Sequence, residues 1–370
     1  ESMNVPLLDL NAQYASILPK IKQEIEKVFD SHHYILGPQV KEFEKMAANY
    51  CECKHTIGCA SGTDALVLAL KALDIKEDDE VITTTFTFFA TAGAISRVGA
   101  IPVFVDILPD TFNLNPEKIE KAITSKTKAI IAVHLFGQPA EMDKIMQIAQ
   151  KHNLKVIEDN AQGIGARFDG KVAGTIGDIG TLSFFPSKNL GAMGDAGMCL
   201  TNSDDLATKL FQLRVHGENP RYFHKWVGLN SRIDTIQAAV LKIKLPYLEK
   251  WSEKRRQNAK YYYENMTNIP QIKLPFIHEK AISIYNQFTL LAEKRDELLK
   301  FLRKNNVGCA VYYPKPLHVQ ECFANLGYKS GDLPIAEEIA QKVISIPIYS
   351  ELTENMQDFV IKKIQEFYEN

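Results

Sequence analysis

Two short stretches decide the fold of this chain: KVIED at residues 155–159 and SFFPSKNLG at residues 183–191. The first is a β-prone apolar run that ends on the acid Asp159, and the second places Lys188 in a loop of small residues. The separation between Asp159 and Lys188 leaves room for a loop and a returning strand. Because open α/β sheets bind ligands outside the carboxyl ends of their strands, we expect the acid and the lysine to share one crevice.

Strand and helix patterns alternate on both sides of these stretches. Strands are predicted at 80–84, 101–106, 129–134, 180–185 and 197–201, and helices at 11–30, 65–73, 91–98, 116–123 and 141–152. Such alternation is typical of an α/β fold with a mostly parallel sheet.

The pattern changes near Leu245 and Pro246. A long charged helix is predicted from about 247 to 266, followed by strands at 286–292 and 308–313 and helices at 295–305 and 334–343. We therefore predict a large domain over residues 1–245 and a smaller α+β domain over residues 246–370.

Composition excludes several classes of protein. The 370 residues are 45% hydrophobic and 24% charged, which is ordinary for a globular chain. A net charge of −2 argues against a nucleic-acid partner, and the absence of an 18-residue apolar run argues against a membrane span. Few cysteines and no signal-like start favour a cytoplasmic location with reduced thiols.

Two weaker motifs are given ordinary structural interpretations. Residues 165–171 have the spacing GxxxxGK, but Val172 follows where a P-loop needs Ser or Thr, so we interpret them as a turn. Cys51, Cys53 and His55 lack a paired CxxC spacing, and we expect no metal site there.

The remaining motif is a turn of small residues, Ser61-Gly62-Thr63, which precedes the predicted helix 65–73. Ser61 can cap that helix, and a helix N-terminus suits a phosphate group. A phosphate site, a lysine and an acid together are what pyridoxal phosphate needs. The lysine would form the Schiff base, and the acid would keep the pyridine nitrogen protonated.

With these motifs the sequence resembles the DegT/DnrJ/StrS group of nucleotide-sugar aminotransferases, which are fold-type-I pyridoxal phosphate enzymes. The resemblance runs over nearly the whole chain, on YILGP at 34–38, SGTDAL at 61–66, DEVIT at 79–83, EDNAQ at 158–162, the stretch 183–191 and GLNSRID at 228–234. It implies an aspartate-aminotransferase-like large domain with a smaller C-terminal domain.

The resemblance also implies roles for individual residues. Lys188 would be the Schiff-base lysine and the acid/base of the proton shift, and Asp159 would pair with the pyridine nitrogen. The other implied cofactor contacts are Gln162 near the phenolic oxygen, Gly62, Thr63 and Ser183 at the phosphate, and Phe88 (with Phe86 as the competing choice) stacked on the ring. Asn230 would reach the phosphate of a second subunit's cofactor, which implies a homodimer with a shared active site.

Substrate contacts follow less directly. The family's acceptor is a keto sugar on a nucleoside diphosphate, and its usual donor is L-glutamate. Arg232 is a candidate for a carboxylate or a diphosphate, or for an ion pair between subunits. Tyr313 and His318 are candidates for sugar or nucleotide contacts, or for packing, in a segment where Tyr312 replaces the family's usual His.

The expected activity is amination at C3 of a UDP-2-acetamido-3-keto hexose or hexuronate, which gives a 2,3-diamino sugar for lipid A or another surface glycan. One alternative is amination at C4 of an NDP-4-keto-6-deoxy sugar. A related sugar dehydratase is disfavoured because such enzymes replace the lysine with histidine. The alternative from another class is a non-catalytic pyridoxal phosphate-binding regulator.

Overall fold

The computed structural model describes residues 2–370. The first half of the chain alternates helices and strands: α1 Leu10–Tyr14, α2 Leu18–Ser31, α3 Pro38–Cys51, β1 His55–Cys59, α4 Gly62–Ala72, β2 Glu80–Thr84, α5 Ala90–Arg97, β3 Ile101–Val105, β4 Thr127–Val133, α6 Met142–Lys151, β5 Lys155–Asp159, β6 Arg167–Phe168, β7 Lys171–Val172 and β8 Ile179–Ser183. The second half contains β9 Gly197–Thr201, α7 Asp204–Leu213, α8 Thr235–Lys244, α9 Leu248–Asn265, β10 Ile272–Lys273, β11 Ala281–Ile282, β12 Phe288–Ala292, α10 Arg295–Lys304, α11 Pro334–Ala340, β13 Val343–Ile346 and α12 Glu354–Glu369.

A seven-stranded sheet in the order β1-β9-β8-β5-β4-β2-β3 forms the centre of the molecule. Neighbouring strands from β8 to β3 are parallel, and β9 runs antiparallel to both β8 and β1. The predicted mostly parallel α/β fold is confirmed. Because parallel strands end at one edge, the last residues of β4, β5 and β8 meet there.

Both faces of this sheet are covered by helices, as the continuous apolar character of its strands requires. Successive residues of β4 show the alternation: Ala129 and Ile131 pack with α4, α5 and α7, whereas Ile130 and Ala132 pack with α6. Side chains one residue apart on a strand point to opposite faces, so each strand contributes to two cores.

The C-terminal part of the chain builds a second core around an antiparallel sheet in the order β10-β12-β13. Val5 belongs to this core and pairs with Val307. In the other direction, β11 pairs with β6 and so ties the C-terminal part to the first half of the chain. The division into residues 1–245 and 246–370 stays a prediction.

Several predicted elements differ from the structure. The helix predicted at 11–30 is interrupted between α1 and α2, because Pro19 lacks an N–H and fits only the first turn of α2. The region 116–123 forms two short 3₁₀ turns instead of a helix. The helix predicted at 334–343 stops at Ala340, since the buried β-branched run from Val343 forms β13.

The strand predicted at 308–313 is also wrong. Only Ala310 makes a bridge, to Ser345, and the chain then leaves the sheet towards Pro314. The stretch 165–171, predicted as a turn, contains β6 and the first residue of β7, and Asp169 and Gly170, both with positive φ, form the turn between these strands. Within residues 2–370, no helix has the length and apolar character required to cross a bilayer.

Candidate active site

A cavity of about 620 Å³ lies at the carboxyl edge of the large sheet. Its floor is formed by the last residues of three parallel strands, Val133, Asp159 and Ser183. The N-terminus of α4 and the loop that carries Lys188 close two sides, and Tyr312 and Tyr313 contribute from the C-terminal part. The crevice expected for Asp159 and Lys188 is therefore present.

Asp159 is held in one orientation at the end of β5. It is 6% exposed. Its Oδ2 accepts a hydrogen bond from the Thr91 hydroxyl at 2.6 Å, and its Oδ1 accepts one from the Ala161 N–H at 3.2 Å. Each carboxylate oxygen therefore has one protein donor, and the remaining acceptor capacity of the group is available to a ligand.

Glu158, one residue earlier, anchors the same strand end from the other face. Its carboxylate is fully buried and accepts from the backbone N–H groups of Gly174, Ile176 and Gly177 at 2.7–2.8 Å. It also lies 2.9 Å from His134 Nε2. Because His134 Nδ1 accepts from the Ala140 N–H, the proton of that imidazole lies on Nε2 and is donated to Glu158.

Lys188 lies on the loop that follows β8. Burial of its amino group lowers the pKa of Lys188, and the negative charge of Asp159 opposes that effect. The amine is thus closer to its neutral form than an exposed lysine. This is the state in which a lysine accepts protons or attacks a carbonyl carbon.

The loop that carries Lys188 is anchored at its next residues. Asn189 Nδ2 donates to the carbonyl oxygen of Ile284 at 3.1 Å. Two residues further, the carbonyl oxygen of Gly191 accepts from Lys244 Nζ at 2.6 Å, and Lys244 is itself fully buried at the end of α8. These contacts fix the backbone from which Lys188 extends.

The N-terminus of α4 forms an anion cradle on the cavity wall. Ser61 caps the helix as predicted, with its hydroxyl accepting from the Asp64 N–H at 3.1 Å. The N–H groups of Gly62 and Thr63 belong to the first turn and have no intrahelical acceptor. Gly62 packs directly on Ser183, since a Cβ at Gly62 would lie 2.8 Å from Ser183 Cβ.

Gln162, Tyr313 and Phe88 line the cavity together. Gln162 Oε1 accepts from the Phe136 N–H at 2.6 Å, and its Nε2 donates to the Tyr313 hydroxyl at 3.1 Å. Phe88 is 57% exposed and faces Tyr313 with ring centroids 6.4 Å apart. Phe86, the competing choice for ring stacking, is buried in a core cluster instead.

Three predicted site residues lie outside this cavity. Asn230 is exposed and Arg232 is half-buried, and neither residue lines the cavity. His318 is buried beside a separate cleft: its Nδ1 lies 2.7 Å from the Thr85 hydroxyl and its Nε2 lies 3.3 Å from Glu337. The chain does not bring His318 to the wall of its own active-site cavity.

The structure adds residues that the motifs did not single out. Thr91 orients Asp159, and Asn286 and Gln287 line the cavity from the segment that precedes β12. Thr91 follows several other threonines, among them Thr87, so the sequence did not distinguish it as a site residue. Nothing in the sequence distinguishes Asn286 and Gln287 from ordinary surface amides.

Among residues 2–370, no three or more His, Cys, Asp or Glu side chains cluster in a way that could hold a metal ion. His55 Nε2 lies 2.7 Å from Asp204 Oδ1, and Cys51 and Cys53 form no disulfide.

The donor set fits pyridoxal phosphate. A cradle of N–H groups and Ser183 suits the phosphate, Asp159 offers an acceptor for the pyridine N–H, and Lys188 offers the amine. The first turn of α4 packs so closely on Ser183 that a side chain at position 62 would clash with it, which explains the glycine at this point of the cradle. The fold and the cavity thus define a pyridoxal phosphate-dependent enzyme with an aspartate-aminotransferase-like architecture.

Comparison with known proteins specifies the family. The model of the DegT/DnrJ/EryC1/StrS aminotransferase family matches residues 16–365. The chain belongs to this family and is an aminotransferase.

Three curated relatives match nearly the whole chain. A protein of Geobacillus stearothermophilus named pleiotropic regulatory protein is 50% identical over 99% of both chains. The UDP-N-acetyl-3-dehydro-alpha-D-glucosamine 3-aminotransferase of Acidithiobacillus ferrooxidans is 45% identical over 95% of this chain and 94% of its own. The dTDP-3-amino-3,4,6-trideoxy-alpha-D-glucose transaminase of Streptomyces venezuelae is 39% identical over 100% of this chain and 97% of its own.

A solved structure supports both the fold and the cofactor. NtdA from Bacillus subtilis, determined with bound cofactor PMP, has a TM-score of 0.93 and 34% identity over 100% of this chain and 86% of its own. Aminotransferases of this family depend on pyridoxal phosphate, and so does this chain.

Proposed function

We propose that this enzyme transfers the amino group of L-glutamate to C3 of a UDP-linked 2-acetamido-3-keto hexose or hexuronate. The product would be a 2,3-diamino sugar for lipid A or another surface glycan. The observation that carries the proposal is the 45% identity to an enzyme named as a 3-aminotransferase of a UDP-linked 3-keto sugar. The name of the dTDP-sugar relative also places nitrogen at C3, so position 3 has more support than the nucleotide.

The residues of the cavity would have different roles in amino transfer. Bound pyridoxal phosphate supplies an electron sink for the carbon that gains or loses nitrogen. Lys188, with its lowered pKa, would take the proton from the carbon that loses nitrogen and would deliver a proton to the carbon that gains it. Asp159 would balance the charge of the pyridine ring, and Gln162 and Phe88 would contact the ring.

The cavity alone does not balance the charge of its proposed substrates. Among the residues within 2–370 that line it, Lys188 is the only lysine or arginine. Glutamate brings two carboxylates and a sugar nucleotide brings a diphosphate, and such groups are usually met by arginine or lysine. We therefore propose that Arg232 and Asn230 of a second copy complete the site in a homodimer.

Exposed apolar residues accompany Asn230 and Arg232 on the same stretch of chain. Tyr222 is 73% exposed, Phe223 is 69% exposed and Val227 is 87% exposed. A cluster of exposed apolar side chains of this kind is typical of a surface that another protein covers. Its closeness in sequence to Asn230 supports a second copy as that partner.

The test is a half-reaction titration. The purified enzyme is first converted with glutamate, and the excess is removed. A UDP-linked 3-keto-2-acetamido sugar and its 4-keto counterpart are then added separately while the cofactor absorbance is followed. Recovery of the original spectrum with the 3-keto sugar alone supports the proposal. Recovery with the 4-keto sugar alone would contradict amination at C3 and support amination at C4.

The regulator named at 50% identity is the second candidate. A protein that only binds the cofactor should keep its absorbance unchanged when glutamate is added. The presence of Lys188, Asp159 and Gln162 on one cavity favours the catalytic alternative.

A further inference from the structure

Asn286 presents an unusual polar group to the active-site cavity. The side chain lines the cavity and is only 7% exposed. Its Nδ2 donates to Oδ1 of Asn189 at 2.9 Å, and Asn189 is the chain neighbour of Lys188. Its own Oδ1 accepts no hydrogen bond from residues 2–370.

The orientation of this carboxamide follows from its neighbour. Asn189 Nδ2 is committed to the carbonyl oxygen of Ile284, so Asn189 offers its oxygen to Asn286. Asn286 must therefore turn its nitrogen towards Asn189, which leaves Oδ1 on the opposite side of the group. Oδ1 is not among the polar atoms that are fully buried without a partner, and Asn286 lines the cavity, so we infer that this oxygen faces the cavity.

The backbone beneath Asn286 is held rigidly. Arg255, 4% exposed, donates from Nη1 to the carbonyl oxygen of Tyr285 at 2.8 Å and to that of Ile348 at 3.3 Å. The Ile284 N–H donates to the Gly137 carbonyl oxygen at 3.1 Å. Asn286 Oδ1 is therefore a fixed acceptor that a ligand does not have to reorganise.

The two substrates of the proposed reaction differ in what they can offer this oxygen. A sugar carries several hydroxyls and an acetamido N–H, all of which are donors. Glutamate has two carboxylates, which an unpartnered carbonyl oxygen repels, and its amino group is directed to the reacting centre. A fixed neutral acceptor therefore suits the sugar.

We propose that Asn286 is a specificity-determining residue whose Oδ1 accepts a hydrogen bond from a donor of the sugar, either a ring hydroxyl or the acetamido N–H. The inference rests on the proposed function, because it needs a sugar nucleotide as the acceptor. It assigns the carboxamide to the sugar half of the reaction and not to the glutamate half.

The experiment compares wild type with Asn286→Ala in both half-reactions of the cofactor-loaded enzyme. The dissociation constant of the sugar nucleotide is expected to rise about tenfold, as the loss of one hydrogen bond implies, with the glutamate half-reaction within about twofold. Calorimetric binding of the amino-sugar product gives a readout independent of turnover. Asn265→Ala, an exposed amide on α9, is the matched control.

Sugar analogues that lack one donor at a time identify the group that Asn286 binds. One set lacks single hydroxyls, and another replaces the acetamido N–H by an ester oxygen. For the analogue that lacks the contacted donor, Asn286→Ala should cost no further affinity. Asn286→Ser repeats the test if the alanine variant does not fold.

Three results would overturn the inference. Equal losses in both half-reactions would mean that Asn286 acts on Lys188 through Asn189. Unchanged sugar affinity, or losses that persist with every analogue, would remove the acceptor role. If the wild type itself aminates no sugar nucleotide, the proposed function fails first and the inference fails with it.

Discussion

The hydrogen bond between Thr91 and Asp159 shows how much of the site depends on residues that carry no motif. The Thr91 hydroxyl approaches one carboxylate oxygen at 2.6 Å, while the Ala161 N–H holds the other. Asp159 was predicted because it ends a strand in a recognisable sequence. Thr91 lies 68 residues away and reaches the same point only through the packing of α5 against the sheet.

Replacing Thr91 by Val should weaken cofactor binding while the fold is retained, since the two side chains have similar shape. Hydrogen bonds to charged groups are worth about 1.5–3 kcal/mol, so we expect roughly 10- to 100-fold lower affinity for pyridoxal phosphate. Titration of the apoenzyme by absorbance measures this. Thr208→Val, on the exposed face of α7, serves as the control, and an unchanged affinity in Thr91→Val would contradict the positioning role.

Lys188→Ala should reduce amino transfer by more than about a thousandfold, because it removes both the amine and the proton carrier. The circular dichroism spectrum and the thermal midpoint should change little. Lys171→Ala, at the exposed first residue of β7, should retain full activity. Substantial transamination by Lys188→Ala would refute the assignment.

At the scale of elements, the N-terminus of α4 serves two purposes that a single substitution can separate. Ser61 caps α4 and lines the cavity, whereas Ser203 caps α7 away from it. Loss of either cap should cost about 1 kcal/mol of stability. Only Ser61→Ala should also lower cofactor affinity, and urea unfolding with cofactor titration of both variants measures the two effects. Equal cofactor affinities of the two variants would show that Ser61 caps α4 without contributing to the anion cradle.

The elements also show where sequence patterns succeed. β2, β5 and β9 have the predicted limits, because each is a short apolar run between polar turns. The same logic failed at 308–313, where Val311, Tyr312 and Tyr313 are apolar because they pack on a core and line the cavity and not because they pair with another strand.

Site residues were harder to predict than strands. His318 was a candidate because of its local pattern, yet it lies outside the cavity, between Thr85 and Glu337. Asn286 was missed because its partner Asn189 is distant in sequence.

At the scale of the whole molecule, Lys244 joins several parts of the structure and makes stability depend on pH. Its amine donates to Gly191 and to the Tyr14 hydroxyl at 2.8 Å. Burial lowers the pKa of Lys244 to about 7, opposed by the charge of Glu351. Between that value and the roughly 10.4 of an unfolded lysine, the unfolded chain binds one more proton than the folded chain.

The contribution of Lys244 to the unfolding free energy should therefore rise with pH across this window, by at most about 1.4 kcal/mol per pH unit. Relative to Lys244→Met, wild type should gain stability in urea unfolding at pH 7.5, 8.5 and 9.5 and a fixed protein concentration. Lys260→Met, whose lysine is exposed, should follow wild type at every pH. A difference between wild type and Lys244→Met that stays constant with pH would contradict the buried-amine explanation.

A dimer with shared sites predicts complementation between two inactive variants. Lys188→Ala and Asn230→Ala each damage both sites of their own homodimer. In a mixed dimer, one site carries both defects and the other carries neither. Co-refolding at equal concentrations should restore about a quarter of wild-type activity, and activity no greater than the sum of the parents would argue against a site built from two copies.

The burial of Val5 has a consequence for the order in which the molecule is completed. Its N–H donates to Asn306 and its carbonyl oxygen accepts from Gly308, so a residue near the start of the chain fills a core made by residues near the end. During synthesis on the ribosome, Val5 emerges long before that core exists. Because closing a loop of this length is slow, we expect the contacts of Val5 with Asn306 and Gly308 to form after the local contacts of both segments, and only once residue 308 has left the ribosome.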